Sequence, residues 1–200
     1  MNEIKKRGLY GLIYVIIMWT ATDISEISFH ILFILILLLA TYEMLRMKAK
    51  KSLLPFIIII PLVLIHQIKN RDIILLMFCL TWVFDTCAYI FGINFGKHKI
   101  IPNISPKKSW EGFIGGALST IIISYIITYF NLFKNINYTE LYTISLFIPI
   151  TASIGDFTIS YYKRKSEIKD TGNLIPGHGG ILDRIDAFLI TIPVIYLINL

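Results

Sequence analysis

A chain of 200 residues that is 56% hydrophobic and 16% charged has too little polar surface to coat a water-soluble globule, for which about 45–50% apolar and about 25% charged residues are usual. With a mean hydropathy of +0.70, the composition excludes a simple soluble enzyme, a disordered chain and a disulfide scaffold, and leaves an all-α, polytopic helical bundle of the membrane. The net charge of +6 does not point to nucleic acid, because the basic residues cluster at the ends of apolar runs, as they do in membrane loops.

Seven apolar runs read as spanning helices: residues 8–21, 27–45, 53–66, 73–93, 112–133, 141–162 and 185–200. The first and third are short for a span of about 20 residues and would tilt or thin the bilayer locally. Lys5, Lys6 and Arg7 precede the first run as in a signal peptide, but no convincing small-residue cleavage site follows, so a retained helix is expected. Residues 22–26 join the first two runs as a helical hairpin. Cys79 and Cys87 lie inside the fourth run and read as buried small hydrophobes rather than a disulfide. No repeat and no soluble domain is visible. The chain reads as a single membrane domain, with N-terminal helices over 1–72 and a chemistry-bearing part over 73–200 that holds two polar loops, 94–111 and 163–184.

With the N-terminus placed in the cytoplasm, 16 of the 19 basic residues fall on the inside and only Lys69, Arg71 and Lys134 on the outside, the asymmetry that sets membrane topology. Both polar loops then face the cytoplasm, where nucleotides are.

Ionisable groups within spanning helices are costly and are expected to face the bundle interior or a water-filled cavity. Asp85, Asp156 and Asp186 are such groups, each beside a polar loop on the same face. The second loop is the densest signal. Lys163, Arg164, Lys169 and Arg184 are cationic donors suited to phosphates. Pro176, Gly177, His178, Gly179 and Gly180 form a turn whose amide groups can converge on an anion. Asp170, Asp183 and Asp186, with Asp156 upstream, supply hard oxygen ligands of the kind magnesium takes together with substrate phosphates. Cations, a glycine turn and aspartates together describe a magnesium–nucleotide site. In the first loop Ser105 and Pro106 start a turn, and Lys107 and Lys108 stand just before a helix N-terminus, itself favourable for anions. Trp110 suits a membrane-interface belt, and His98 reads either as a phosphate contact or as a solvated loop histidine.

The run from Ser160 to Asp186 resembles the signature of the phosphatidate cytidylyltransferases, or CDP-diacylglycerol synthases. The spacing of Ser160, Lys163-Arg164, Lys169-Asp170, the Pro-Gly-His-Gly-Gly turn and Asp183-Arg184-Ile185-Asp186 agrees throughout. The segments from Asp85 to Gly92 and from Ser105 to Gly112 resemble the family's other recurrent block, so the likeness spans about half the chain. It implies a magnesium-dependent membrane enzyme of phospholipid synthesis that makes CDP-diacylglycerol and pyrophosphate from CTP and phosphatidate. It implies that Asp156 and Asp183 act at the metal centre, that a monovalent cation such as potassium sits nearby, and that the protein forms a homodimer. Asp170 and Asp186 would be further ligands or orient the basic residues. Lys163, Arg164, Lys169 and Arg184 would stabilise pyrophosphate or the lipid phosphate. Ser160, Gly177, Gly179 and Gly180 would contact metal or phosphate, with His178 serving the turn geometry, the favoured reading, or acting as an acid or base. Lys107 and Lys108, behind Ser105, would catch the lipid headgroup.

Three departures accompany the likeness. The N-terminal part is shorter than in many relatives, Ile93 stands where a basic residue is common, and Ile159 where an acidic one is common. The small, nearly loop-free design points to a bacterial inner membrane. Two other readings remain distinct: a CTP-dependent lipid kinase, whose nucleotide product would be CDP, and a transporter with carboxylates in its pathway.

Overall fold

The computed structural model describes residues 3–47, 53–174 and 179–200. They fold into seven helices: α1 (Glu3–Ile24), α2 (Glu26–Arg46), α3 (Leu54–Leu64) with a following 3-10 turn (Ile65–Gln67), α4 (Arg71–Phe95), α5 (Trp110–Tyr129), α6 (Tyr138–Lys165) and α7 (Leu182–Ile198). Each expected apolar run has become one helix, and no strand occurs among the described residues. By length and composition, α2, α4, α5 and α6 can cross a membrane, whereas the apolar parts Gly8–Ile24 and Leu54–Gln67 are shorter.

Helix ends depart from the apolar runs where capping decides them. The 22–26 linker contracts to Ser25, whose Oγ accepts the Ser28 N–H at 3.0 Å and caps α2. The fifth run extends to residue 133, but α5 stops at Tyr129. There Asn131 adopts φ 50°, and the N–H groups of Asn131 and Leu132 bond back to Thr128 and Ile127, a Schellman stop that apolar composition does not reveal. The same device ends α6. Glu167 takes φ 60°, and the N–H groups of Glu167 and Ile168 return to Arg164 and Lys163.

Helix α4 lies at the centre. It packs most extensively on α5, while α6 packs most extensively on α7, and α3 closes against α7 and α2. Phe78 of α4 joins three helices, with ring centroids 6.3 Å from Phe33 of α2 and 5.3 Å from Phe188 of α7. Large apolar side chains such as Leu38, Leu118 and Ile122 are exposed on the bundle's outer surface, as a lipid-facing surface requires. One end of the bundle is tied by Asn135, which donates to Asp72 at 2.8 Å while its carbonyl accepts from Asn70 at 2.7 Å. At the other end both polar loops meet, because Arg164 Nε donates to the Ile104 carbonyl at 3.4 Å.

In lipid, helices gain little from hiding apolar surface and must associate by close packing. Helix α5 reaches α4 through Gly116, where an added Cβ would lie 2.8 Å from Phe84 Cδ2 and 2.9 Å from the Phe84 carbonyl oxygen. Gly116→Ala is therefore expected to destabilise the bundle by about 1–3 kcal/mol through overpacking. Gly8→Ala, with nothing within 4 Å of the new methyl, should not lower stability. Thermal unfolding of the two variants in detergent checks the difference.

Candidate active site

The chemistry-bearing residues of α6 recur at helical spacing. Asp156, Ser160 and Lys163 lie four and three residues apart, so they share one face. Helix α7 is held beside that face, partly by the 2.9 Å bond between the buried hydroxyls of Thr151 and Thr191. Asp183 opens the first turn of α7. Its Oδ1 accepts from Lys163 Nζ at 2.7 Å, with side chains only 12% and 5% exposed for the lysine and aspartate. Its Oδ2 accepts the N–H groups of Thr171 at 2.8 Å and Gly180 at 3.0 Å. Asp183 lies ahead of the apolar run that begins at residue 185. Burial alone would raise its pKa, but the Lys163 hydrogen bond and charge, with the two N–H groups, outweigh this and hold the carboxyl below its ordinary value.

Beside this centre a cavity of about 680 Å³ opens between α4, α5, the first polar loop and α6. Asp85, Ile93, Lys99, Ser105, Lys107, Lys108 and Asp156 are on its wall. Lys108 Nζ forms an ion pair with Asp156 Oδ2. Ser160 Oγ donates to Asp156 Oδ1 at 3.3 Å. The Lys108 ammonium also stands 5.1 Å from the Phe157 ring centroid. Ser109 places the two lysines by capping α5, its Oγ accepting the Gly112 N–H at 3.2 Å. Asp186, one turn into α7, is within electrostatic range of Asp156, Asp85, Lys163 and Lys108. Asp85, Asp156 and Lys108 are thus on the cavity wall, with Asp186 within electrostatic range of them and of Lys163.

The other residues singled out by sequence occupy varied positions. Arg164 bonds the Ile104 and Ile168 carbonyls, so it ties the two loops together. Arg184 has its Nε buried without a hydrogen-bond partner among the described residues, within electrostatic range of Asp85. Lys169 and Asp170 are exposed on the second loop. Gly179 adopts φ +83°, and Gly180 donates to Asp183. Gly177 and His178 lie outside the described residues. His98 is a solvated loop histidine, its side chain 78% exposed, with its Nδ1 2.6 Å from Glu111 Oε1. Ile93 is exposed on the cavity wall, whereas Ile159 is fully buried in the core.

Two contributors are absent from the sequence reading. Tyr14 of α1 donates its hydroxyl to the Arg184 carbonyl at 3.1 Å. Glu43 of α2 is 1% exposed and accepts from Ile181 N–H at 2.8 Å, Leu182 N–H at 3.0 Å and Thr171 Oγ1 at 2.8 Å. An acidic residue inside the otherwise apolar run 27–45 was itself a signal.

Among the described residues, no group of three His, Cys, Asp or Glu side chains forms a ready-made metal cage. Asp156 on a cavity wall, backed by Asp186, suits instead a hard cation that takes one or two carboxylates and completes its shell with phosphates and water. The Lys163–Asp183 pair is buried enough to be tested on its own. Lys163→Met should cost about 3–5 kcal/mol by leaving an uncompensated carboxylate. Adding Asp183→Asn should cost less than the sum of the two single changes. Thermal unfolding of the single and double variants measures the coupling.

The profile of the cytidylyltransferase family matches residues 53–200. A phosphatidate cytidylyltransferase of Rickettsia bellii is 40% identical over 184 residues, covering 86% of this chain and 80% of its own length. One of Rickettsia typhi is 40% identical over 205 residues, covering 96% of this chain and 88% of its own. One of Staphylococcus aureus is 43% identical over 122 residues, covering 61% of this chain and 46% of its own. A family profile over most of the chain and relatives that align along nearly its full length lead to one conclusion: the chain belongs to the cytidylyltransferase family, with the phosphatidate cytidylyltransferases, and is a membrane nucleotidyltransferase.

Proposed function

We propose that this chain transfers the cytidylyl group of CTP to phosphatidate, releasing pyrophosphate and forming CDP-diacylglycerol for phospholipid synthesis. One observation carries the reading: Lys108 of the first loop pairs with Asp156 of α6 at the wall of a cavity wide enough for a nucleotide. Cationic and carboxylate groups thereby meet where two anionic substrates must be brought together.

An oxygen of the phosphatidate phosphate forms a bond to the α-phosphorus of CTP. The bond from that phosphorus to the bridging oxygen breaks, and the electron pair leaves with pyrophosphate. A phosphate monoester already carries about −1.5 to −2 charge near pH 7, so no side chain needs to remove a proton from the nucleophile. Catalysis then depends on positioning and charge neutralisation. Lys107 and Lys108 hold the lipid phosphate at the mouth of the cavity. Lys163 and Arg184 face the developing negative charge of pyrophosphate, Lys163 being aimed by Asp183. Arg164 keeps the two loops at a fixed separation. Asp156 and Asp186, with Asp183 behind them, would hold magnesium, whose part is to offset the triphosphate charge. The family likeness extends the reading to a potassium ion near the metal and to a homodimer.

The basic-residue asymmetry supports an N-terminus and active loops on the cytoplasmic side of a bacterial inner membrane. Exposed apolar side chains on α2 and α5 leave room for acyl chains to stay in the bilayer while the headgroup enters the site.

Detergent-purified protein is expected to release pyrophosphate from CTP only when phosphatidate and magnesium are both present, with a CDP-lipid as the other product. Release of CDP without a CDP-lipid would support a kinase instead. Asp183→Asn should lower turnover by at least about 100-fold, the scale of losing one preorganised electrostatic contact. Wild-type turnover in that variant would remove Asp183 from the site.

A further inference from the structure

The N-terminus of α7 is where the catalytic aspartate and arginine enter the site, yet no side chain of its own caps it. The first N–H groups of a helix must find partners outside it. Here they find Glu43, which comes from α2, more than a hundred residues earlier, and from outside the segment matched by the family profile. Its two oxygens accept from Ile181, Leu182 and the Thr171 hydroxyl, at 2.8, 3.0 and 2.8 Å. A negative group at a helix N-terminus also meets the favourable end of the helix dipole.

The fit around Glu43 is close on both sides of the second loop. A Cβ on Gly172 would come 2.7 Å from Glu43 Oε1, and a Cβ on Gly180 would overlap its Oε2. Both glycines thus stand where only a hydrogen atom leaves room for this carboxylate. Thr171 then links Glu43 to the catalytic centre. Its hydroxyl lies 2.8 Å from Glu43 Oε2 and 3.0 Å from Asp183 Oδ2, while its N–H donates to Asp183 at 2.8 Å. The hydroxyl has one proton and serves one carboxylate at a time. With Asp183 already supplied by the Thr171 N–H, the hydroxyl is free to turn to Glu43.

We infer that Glu43 is a positioning residue for the transfer reaction: it braces Thr171 and the start of α7, so that Asp183, with its Lys163 partner, and Arg184 are held in one geometry beside the cavity. The kinetic part of this inference rests on the function proposed above. The Tyr14 hydroxyl on the Arg184 carbonyl reinforces the brace from α1, so the N-terminal hairpin is a working part of the site.

The test compares Glu43→Ala, Glu43→Gln and Thr171→Val in the full-length protein, with two readouts. Hydrogen exchange of peptides covering 179–182 should quicken by about tenfold or more in Glu43→Ala, while peptides from α4 and α5 keep wild-type protection, as expected when a local contact and not the global fold is lost. For pyrophosphate release, kcat should fall on the order of 100-fold, the cost of about 1 Å of misplacement at a reacting centre. Glu43→Gln keeps one carbonyl acceptor and should recover much of that loss. Thr171→Val should show a smaller loss and be non-additive with Glu43→Gln. Wild-type kcat and exchange in Glu43→Ala would overturn the inference. So would loss of protection throughout the bundle in Glu43→Gln and Thr171→Val alike, because that describes a stability role. Absence of CTP turnover in the wild-type protein overturns the proposed reaction and not the brace, which the exchange measurement decides alone.

Discussion

A backbone N–H that enters a low-dielectric interior without an acceptor costs more than a typical hydrogen bond returns, and the start of α7 presents several of them at once. Two carboxylates meet that demand. Glu43 takes Ile181 and Leu182, and Asp183 takes Gly180 and Thr171. Much of the site follows from this arrangement. Asp183 is held by its own loop and then pairs with Lys163, which brings the last turn of α6 against the first turn of α7. Arg184 follows on the same turn, with its carbonyl fixed by Tyr14. An electrostatic site of this kind works because its groups are oriented before the substrate arrives.

The bilayer sets the second constraint. A chain with so little charge places almost all of it at helix ends, and the two polar loops meet at one end of the bundle through Arg164 and Ile104. Asp85, Asp156 and Asp186 are tolerated at the edge of the apolar region because Lys108 and Lys163 stand among them and a cavity opens beside them. Charges that would be expensive in an inert helix are thereby gathered beside one cavity.

The apolar runs were legible in the sequence because hydropathy depends on composition within one segment. All seven became helices, and the stretch from Asp156 to Asp186 stood out as a candidate site because cations, aspartates and glycines are close together in the chain. Helix ends were less legible. The fifth run looks apolar through Phe133, but the Asn131 cap stops α5 four residues earlier, since backbone geometry and not hydropathy terminates a helix. Glu43 is hard to read from sequence for a related reason. Alone at the end of an apolar run it looks like the polar edge of a span, and its partners are far away in the chain.

The sequence by itself determined that the chain is a membrane bundle and which family it joins, and it marked the candidate site residues, because each of these depends on residue type at short spacing. Tertiary structure decided which charges meet. Lys108 with Asp156, Lys163 with Asp183 and Glu43 with the α7 N-terminus are pairings between separate helices or loops. The physical reason is that a hydrogen bond or ion pair depends on distances of a few ångströms, and only helix packing brings such distant segments together.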